Sequence, residues 1–193
     1  MDEPTLIQRS RKGDLDAFNR LVESYQSQVF NLAWRMLGSP TSAEDAAQEA
    51  FISAFRNITA YRGGSFRAWL LRIATNACYD QLRAAKRHGG PSLDALLETP
   101  SFQPPSKDAS PESQALSAEL SAAIQSAIAT LPEDQRSVLV LVDVEGLAYE
   151  EVAQAAGVNI GTVKSRLSRA RARVRNLLAA HRELLPDRYR LPQ

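Results

Sequence analysis

Apolar side chains recur every three or four residues along most of the chain, which is the spacing of one face of an α-helix. A long stripe of this kind begins near Asp16 and ends at Leu37. No stretch of useful length alternates apolar and polar residues as a half-buried strand does, so we predict an all-α fold. The predicted helices cover about residues 16–37, 43–56, 66–87, 111–131, 132–143, 150–156 and 160–177.

Glycine, proline and capping residues mark the ends of these helices. Gly38 and Pro40 follow the first helix, because glycine permits a left-handed turn and proline cannot continue a helix. Ser42 and Asp45 are predicted as a capping pair for the second helix. Asn159 is the predicted N-cap of the last helix, since its side chain can accept a hydrogen bond from the first turn.

The composition changes between His88 and Pro111, where five prolines and two glycines interrupt the helical pattern. Such a segment is typical of an extended linker. The sequence therefore predicts two small helical domains joined by a flexible linker, with a helix-turn-helix in the C-terminal domain. The predicted boundaries are 1–87 for the first domain, 88–111 for the linker, 112–185 for the second domain and 186–193 for a tail.

The formal net charge of the 193-residue chain is only +1, but the charges are unevenly distributed. Residues 56–87 hold seven lysines and arginines against one acid, and residues 160–182 hold seven against none. Residues 91–119, between these zones, are predominantly acidic. Two separate basic zones predict two contacts with one long polyanion.

The second basic zone follows a short helix and a turn at Gly157, which is the order of a helix-turn-helix. Val163 and Leu167 fall on the predicted core face of the basic helix, and the opposite face is positioned to enter a major groove. The alternative is a solvated, arginine-rich surface helix. The side chains predicted to face base edges are Lys164, Ser165, Ser168 and Arg169, and those predicted to face phosphates are Arg166, Arg171 and Arg173.

The first basic zone predicts a different mode of nucleic-acid binding. Basic, amide and aromatic side chains interleaved on one helix face suit a strand whose bases are accessible. The preceding loop, Tyr61–Ser65, contains two glycines, an aromatic ring and a cation, so it could receive an unstacked base. The alternative is a solvated amphipathic helix beside an ordinary turn. The helix face in question carries Arg72, Asn76, Tyr79, Arg83 and Lys86.

The second predicted helix has an acidic and apolar stripe that would repel DNA. Asp45, Gln48, Glu49 and Ile52 form this stripe. It is typical of a protein-docking surface, although a solvated helix can carry the same residues.

Several other functional classes find no support in the sequence. The single cysteine, Cys78, lies on a predicted core face and excludes an intrachain disulfide. His88 and His181 are too far apart for ordinary zinc-ligand spacing, so we expect no metal or cofactor. No nucleophile elbow, phosphate-binding glycine loop or paired-carboxylate motif is present, so we expect no enzymatic activity. Without a signal-peptide pattern or an apolar run of membrane-spanning length, the expected location is the cytoplasm.

Two long segments together resemble the extracytoplasmic-function (ECF) sigma factors, the short members of the sigma-70 family. They are SAEDAAQEAFISAFRNITAYRGGSFRAWLLRIATNACYDQLR in the first domain and LPEDQRSVLVLVDVEGLAYEEVAQAAGVNIGTVKSRLSRAR in the second. The resemblance covers nearly everything except the linker and the last residues. It implies a subunit that directs RNA polymerase core enzyme to specific promoters and assists −10 melting, in a stress or envelope response.

The resemblance also implies partners and residue roles. The partners are promoter DNA, the clamp helices of the polymerase's largest subunit, the flap of its second-largest subunit, and an anti-sigma factor. The residues implied in polymerase docking are Glu44, Asp45, Gln48, Glu49 and Ile52. Those implied in −10 binding are Tyr61, Arg62, Gly63, Ser65, Asn76, Tyr79, Asp80 and Arg83. Those implied in −35 binding are Thr162, Lys164, Ser165, Arg166, Ser168, Arg169 and Arg171.

Three positions depart from the family pattern. Ala148 stands where relatives usually have a capping serine, a loss of about 1 kcal/mol that Glu150 and Glu151 would partly offset. Asp80 stands where many relatives have asparagine, so it would accept hydrogen bonds from cytosine amino groups and repel phosphates. Ser168 is too short to contribute much base discrimination.

Two other functions remain open on the sequence alone. A conventional helix-turn-helix regulator would bind duplex DNA tightly without polymerase. A pure interaction protein that titrates an anti-sigma factor would support no transcription with core enzyme.

Overall fold

The computed structural model describes residues 1–87 and 111–179, which contain helices and no β-strand. The predicted linker and the tail fall almost entirely outside these ranges, as do His88 and His181. None of the described helices is both long and apolar enough to cross a membrane. The helices are α1 (Glu3–Ser10), α2 (Leu15–Leu37), α3 (Pro40–Asn57), α4 (Phe66–Arg87), α5 (Pro111–Ala129), α6 (Glu133–Leu139), α7 (Tyr149–Ala156) and α8 (Ile160–Leu178).

Helices α2, α3 and α4 pack around one another in the first domain, and α1 packs against α2. Gly38 ends α2 in the left-handed region at φ 75°, as predicted. The predicted capping pair of α3 is wrong, because the side chain of Ser39 accepts the hydrogen bond from the Ser42 backbone N–H and α3 begins at Pro40. Proline suits this first helical position, where its missing N–H would have no partner.

Helix α1 was not among the predicted elements. Leu6, Ile7 and Ser10 are buried on its inner face, and the Ser10 hydroxyl donates to the Leu6 carbonyl at 2.7 Å. The Tyr25 hydroxyl of α2 donates to the Glu3 carboxylate. This short helix is therefore attached to α2 by both apolar and polar contacts.

In the second domain, α8 packs against α5, α6 and α7. Helix α6 continues as a π-helical turn, Val140–Val144, which ends near Gly146. Val163 and Leu167 are fully or almost fully buried, as the helical stripe predicts. Leu177 on the same stripe is 42% exposed in the described part of the chain, so the buried stripe does not extend that far.

The turn between α7 and α8 forms as the helix-turn-helix pattern predicts. Gly157 adopts the left-handed conformation at φ 65°. The Asn159 side chain then accepts a hydrogen bond from the Thr162 backbone N–H at 2.7 Å and caps α8. Ala148 provides no side-chain cap for α7, and the Glu151 carboxylate instead accepts from the Ala148 N–H at 2.9 Å.

The two domains pack against each other, with the C-terminal end of α2 against α5 and α6, and α4 against α7. Arg136 of α6 donates hydrogen bonds to the Met36 carbonyl of α2 and to the Ala129 and Leu131 carbonyls of its own domain. Gln125 of α5 donates to the Trp34 carbonyl at 3.3 Å. The buried apolar residues of both domains form one continuous cluster. The sequence predicted two domains but did not predict this contact.

Cys78 on α4 is fully buried, and burial raises the pKa of its thiol to about 12. A thiol reagent reacts with the thiolate, so labelling of the folded protein at pH 8 should be slow. We expect the labelling rate to rise with urea in parallel with loss of helical circular dichroism. Fast labelling in the absence of urea would contradict the observed burial.

Candidate nucleic-acid interface

The N-terminal half of α8 presents a polar, exposed row to solvent. Lys164, Ser165, Ser168 and Arg169 are all exposed, and Thr162 beside them is half-buried. The Asn159 cap fixes the start of the helix, and buried Val163 and Leu167 fix its rotation. The row predicted to face base edges therefore lies on the exposed surface of α8.

Two arginines predicted to contact DNA are engaged within the protein. Arg171 makes two hydrogen bonds to the Asp143 carboxylate, at 2.9 and 2.6 Å, and this pairing raises its pKa. Arg166 pairs with Asp134 of α6 at 3.0 Å and is half-buried. These contacts fix α8 against the rest of its domain, so both arginines orient the helix in this conformation.

The Tyr61–Ser65 loop lies against a cluster of aromatic rings. The Tyr61 ring is 8% exposed, and its centroid is 5.6 Å from Phe66 and 5.5 Å from Trp69. The Tyr61 hydroxyl donates to the Gly64 carbonyl at 2.6 Å. Gly63 and Gly64 have φ angles of 98° and 89°, which residues with a Cβ rarely adopt. Trp69 thus lies behind the loop.

A cavity of about 320 Å³ opens beside this loop and is closed on one side by the second domain. Its first-domain wall includes the loop, Trp69 and Arg72, and its opposite wall is formed by α7. The α7 residues on that wall are Glu151, Gln154 and Ala155. In this conformation, the side of the loop that faces Trp69 and Arg72 is covered.

The polar face of α4 is divided between solvent and the second domain. Asn76 is exposed, and Asp80 and Arg83 are exposed and form an ion pair with each other. Tyr79 instead points at the second domain, where its hydroxyl donates to the Ser137 hydroxyl at 2.6 Å. Lys86 likewise pairs with Glu133 at 2.6 Å. The structure therefore does not bring all the predicted −10 residues onto one open face.

Helix α3 borders an apolar groove of about 580 Å³ between α2 and α3. Glu44, Asp45, Gln48, Glu49 and Ile52 are all exposed on α3. Glu44 and Gln48 also line the groove, together with the aromatic side chains of Phe30, Trp34 and Phe51. The result is an apolar groove with acidic and amide groups at its edge.

An ion pair with a buried carboxylate connects α4 to the second domain. The Glu145 side chain is 6% exposed, and burial raises the pKa of its carboxyl despite the partner Arg67, 3.3 Å away. Arg67 of α4 is 32% exposed and also donates to the Glu145 carbonyl. Its Nε donates to Gln28 at 2.9 Å. Sequence patterns could not pair these residues, which lie 78 positions apart.

Two family models match this sequence. The model for sigma-70 region 2 matches residues 21–88, and the model for sigma-70 region 4 matches residues 121–174. The first match contains the loop, α3, α4 and most of α2, and the second contains the helix-turn-helix.

Comparisons with individual proteins point the same way. The chain is 39% identical over 167 residues to the ECF RNA polymerase sigma factor SigE of Mycolicibacterium smegmatis, covering 86% of this chain and 63% of that protein. It is 38% identical over 178 residues to the ECF sigma factor SigW of Bacillus subtilis, covering 89% of this chain and 94% of SigW. A solved structure of the sigma factor RpoE from Bartonella quintana, in complex with the anti-sigma factor NepR, aligns with a TM-score of 0.66. That alignment has 27% identity and covers 84% of this chain and 96% of RpoE.

Proposed function

The chain belongs to the ECF sigma factors of the sigma-70 family and directs RNA polymerase to promoters in transcription initiation, and we propose that its two domains read different promoter elements. In this proposal α8 reads the −35 element and the Tyr61–Ser65 loop with α4 opens and holds the −10 element. The observation that carries it is the exposed polar row at the capped N-terminus of α8. A protein that acts on polymerase and promoter DNA works in the cytoplasm, and it contributes binding free energy without a catalytic step.

The proposal for the −35 element predicts base-specific losses on α8. Lys164→Ala or Arg169→Ala should weaken discrimination between −35 sequences by about 1–3 kcal/mol per lost base contact. Competition between promoter variants for reconstituted holoenzyme measures this discrimination. Arg175→Ala is a matched control, because Arg175 is exposed near the other end of α8. An equal loss on all promoter sequences would assign Lys164 and Arg169 to phosphates instead.

For the −10 element, the proposal rests on the loop and the aromatic cluster behind it. Gly63 and Gly64 allow close approach of a strand, and half-buried Trp69 offers aromatic surface on which a base can stack. The second domain forms one wall of the cavity beside the loop, and Tyr79 is bonded to Ser137. We therefore infer that the two domains separate before this surface engages the melted strand.

The groove beside α3 supports the proposed polymerase contact. An apolar groove with acidic groups at its edge suits an amphipathic helix that carries basic residues. The clamp helices of the polymerase's largest subunit are the proposed occupant, with Glu44, Asp45, Gln48, Glu49 and Ile52 as contacts. The flap of the second-largest subunit is the proposed partner of the second domain.

An anti-sigma factor is a further proposed partner, and a stress or envelope response is the proposed setting. The similarity to RpoE, whose solved structure contains the anti-sigma factor NepR, supports this partner. The two domains already lie close together here, so a partner that binds both would stabilise the covered conformation.

Run-off transcription with reconstituted core polymerase on a library of upstream regions tests the proposal. We expect a subset of templates to be transcribed only when this protein is present, with weak DNA binding by the free chain. Tight duplex binding without polymerase would favour a conventional helix-turn-helix regulator. No specific transcript from demonstrably active core would refute promoter direction by this chain.

A further inference from the structure

A second cavity, of about 360 Å³, lies on the other side of the Tyr61–Ser65 loop. One wall is formed by Ile7, Gln8 and Arg11 of the N-terminal segment, and the other by Tyr61, Arg62 and Gly63. All six residues belong to the first domain. The second domain therefore does not cover this cavity, in contrast to the cavity beside α7.

The N-terminal wall is anchored to the first domain. Arg9 pairs with Asp14 at 2.6 Å, and Asp14 caps α2 by accepting from the Ala17 N–H at 3.0 Å. Leu6 and Ile7 are buried against the first domain. Because the inner face of α1 is anchored in this way, Gln8 and Arg11 have a defined position at the cavity.

The cavity carries the groups that bind a nucleotide. Arg11 and Arg62 are exposed and make no ion pair with any described residue, so both guanidinium groups are free to bind phosphate. The Gln8 amide can both donate and accept hydrogen bonds at a base edge. The side chains of Tyr61 and Ile7 border the cavity but are mostly buried, and no acidic side chain lines the cavity. These features together favour a nucleotide over a cation or an apolar ligand.

We propose that this cavity is a second nucleotide subsite, in which α1 binds a base of the melted strand next to the base held beside Trp69. The inference rests on the proposed function, because the loop is the shared wall of both cavities. In this arrangement Arg11 and Arg62 bind backbone phosphates and Gln8 contacts the base. Helix α1 thereby becomes part of the DNA-binding surface and a determinant of sequence preference.

The test uses holoenzyme and fork-junction DNA whose single-stranded −10 strand carries one abasic site at each position in turn. Arg11→Ala should weaken binding to every probe by about five- to tenfold. It should also reduce the magnitude of the slope of log K against log salt concentration by about 1, because one phosphate contact is lost. Arg11→Lys should retain most of the affinity, because it keeps the charge. Lys12→Ala is the matched control: Lys12 is exposed and adjacent, lies outside the cavity, and should change affinity less than twofold.

The abasic scan tests the role of Gln8. In the wild type, we expect one position next to the captured base to show an affinity loss of about fivefold when its base is removed. In Gln8→Ala this loss should shrink to less than twofold at that position only. Equal effects of Arg11→Ala and Lys12→Ala, or an abasic profile unchanged by Gln8→Ala, would overturn the subsite while leaving promoter recognition intact. A wild-type holoenzyme that binds no fork probe would overturn the proposed function and the subsite together.

Discussion

Replacing Arg136 by alanine lowers the free energy of unfolding by about 2–4 kcal/mol, a large effect for one side chain. The Arg136 side chain is half-buried, and its guanidinium donates to carbonyls at the C-terminal ends of α2 and α5. Its positive charge also complements the negative end of both helix dipoles. Without it, buried carbonyls in both domains lose their donors, and α2 loses a contact with α6.

Thermal unfolding followed by circular dichroism measures this loss, and we expect the Tm of Arg136→Ala to fall by about 5–15 °C. Arg136→Lys should recover little of the stability, because one ammonium group cannot reproduce the planar fork that reaches several carbonyls. Arg173→Ala, on the exposed side of α8, is the control and should leave the Tm within about 1 °C. If Arg136→Ala and Arg173→Ala melted at the same temperature, the buried hydrogen bonds would contribute nothing to stability.

Most of the fold could be predicted from the sequence because it depends on local signals. Short stretches of sequence specify the apolar stripes of α2 and α8. They also specify the left-handed turns at Gly38 and Gly157 and the Asn159 cap. Helix α1 was missed because its eight residues contain only two large apolar side chains, too few to establish a period. The cap of α3 was misplaced by three residues because Ser39 and Ser42 carry the same side chain.

The candidate site was harder to predict because its arrangement depends on contacts between distant segments. The sequence correctly indicated that Lys164 and Arg169 would be exposed, since they lie opposite a buried stripe. It could not indicate that Tyr79 would bond to Ser137, or that Arg166 would pair with Asp134. A basic or aromatic residue on a polar helix face has the same pattern whether it meets DNA or another domain.

The Arg67–Glu145 pair should respond asymmetrically to mutation, which is the second large expected effect. Arg67→Ala leaves the Glu145 carboxylate buried without its partner, so we expect the contact between domains to weaken by about 2–4 kcal/mol. Glu145→Gln removes the charge that burial penalises and leaves Arg67 bonded to Gln28 and to the backbone carbonyl of residue 145. That substitution should leave the domain contact unchanged or strengthen it.

The pH dependence follows from the raised pKa of Glu145. A carboxyl whose pKa is higher in the docked state binds its proton more tightly there than after the domains separate. Glu145 therefore makes its full favourable contribution to docking at pH values below the ordinary carboxyl pKa. This contribution is lost as the pH rises through the raised pKa of the docked state. Docking in the wild type should strengthen as the pH falls through this range, and Glu145→Gln should lack that component.

Distance-dependent fluorescence transfer between dyes on the two domains measures docking directly. Thr41→Cys on α3 and Asn176→Cys on α8 place reactive thiols at exposed positions, whereas Cys78 is buried and reacts slowly. Arg67→Ala should lower the transfer efficiency, and the same variant should bind a single-stranded −10 oligonucleotide more tightly as free protein, because α7 no longer covers the loop cavity. If Arg67→Ala and Glu145→Gln lowered the transfer efficiency equally, docking would be determined by the attraction between Arg67 and Glu145. The cost of burying the Glu145 charge would then be the smaller effect.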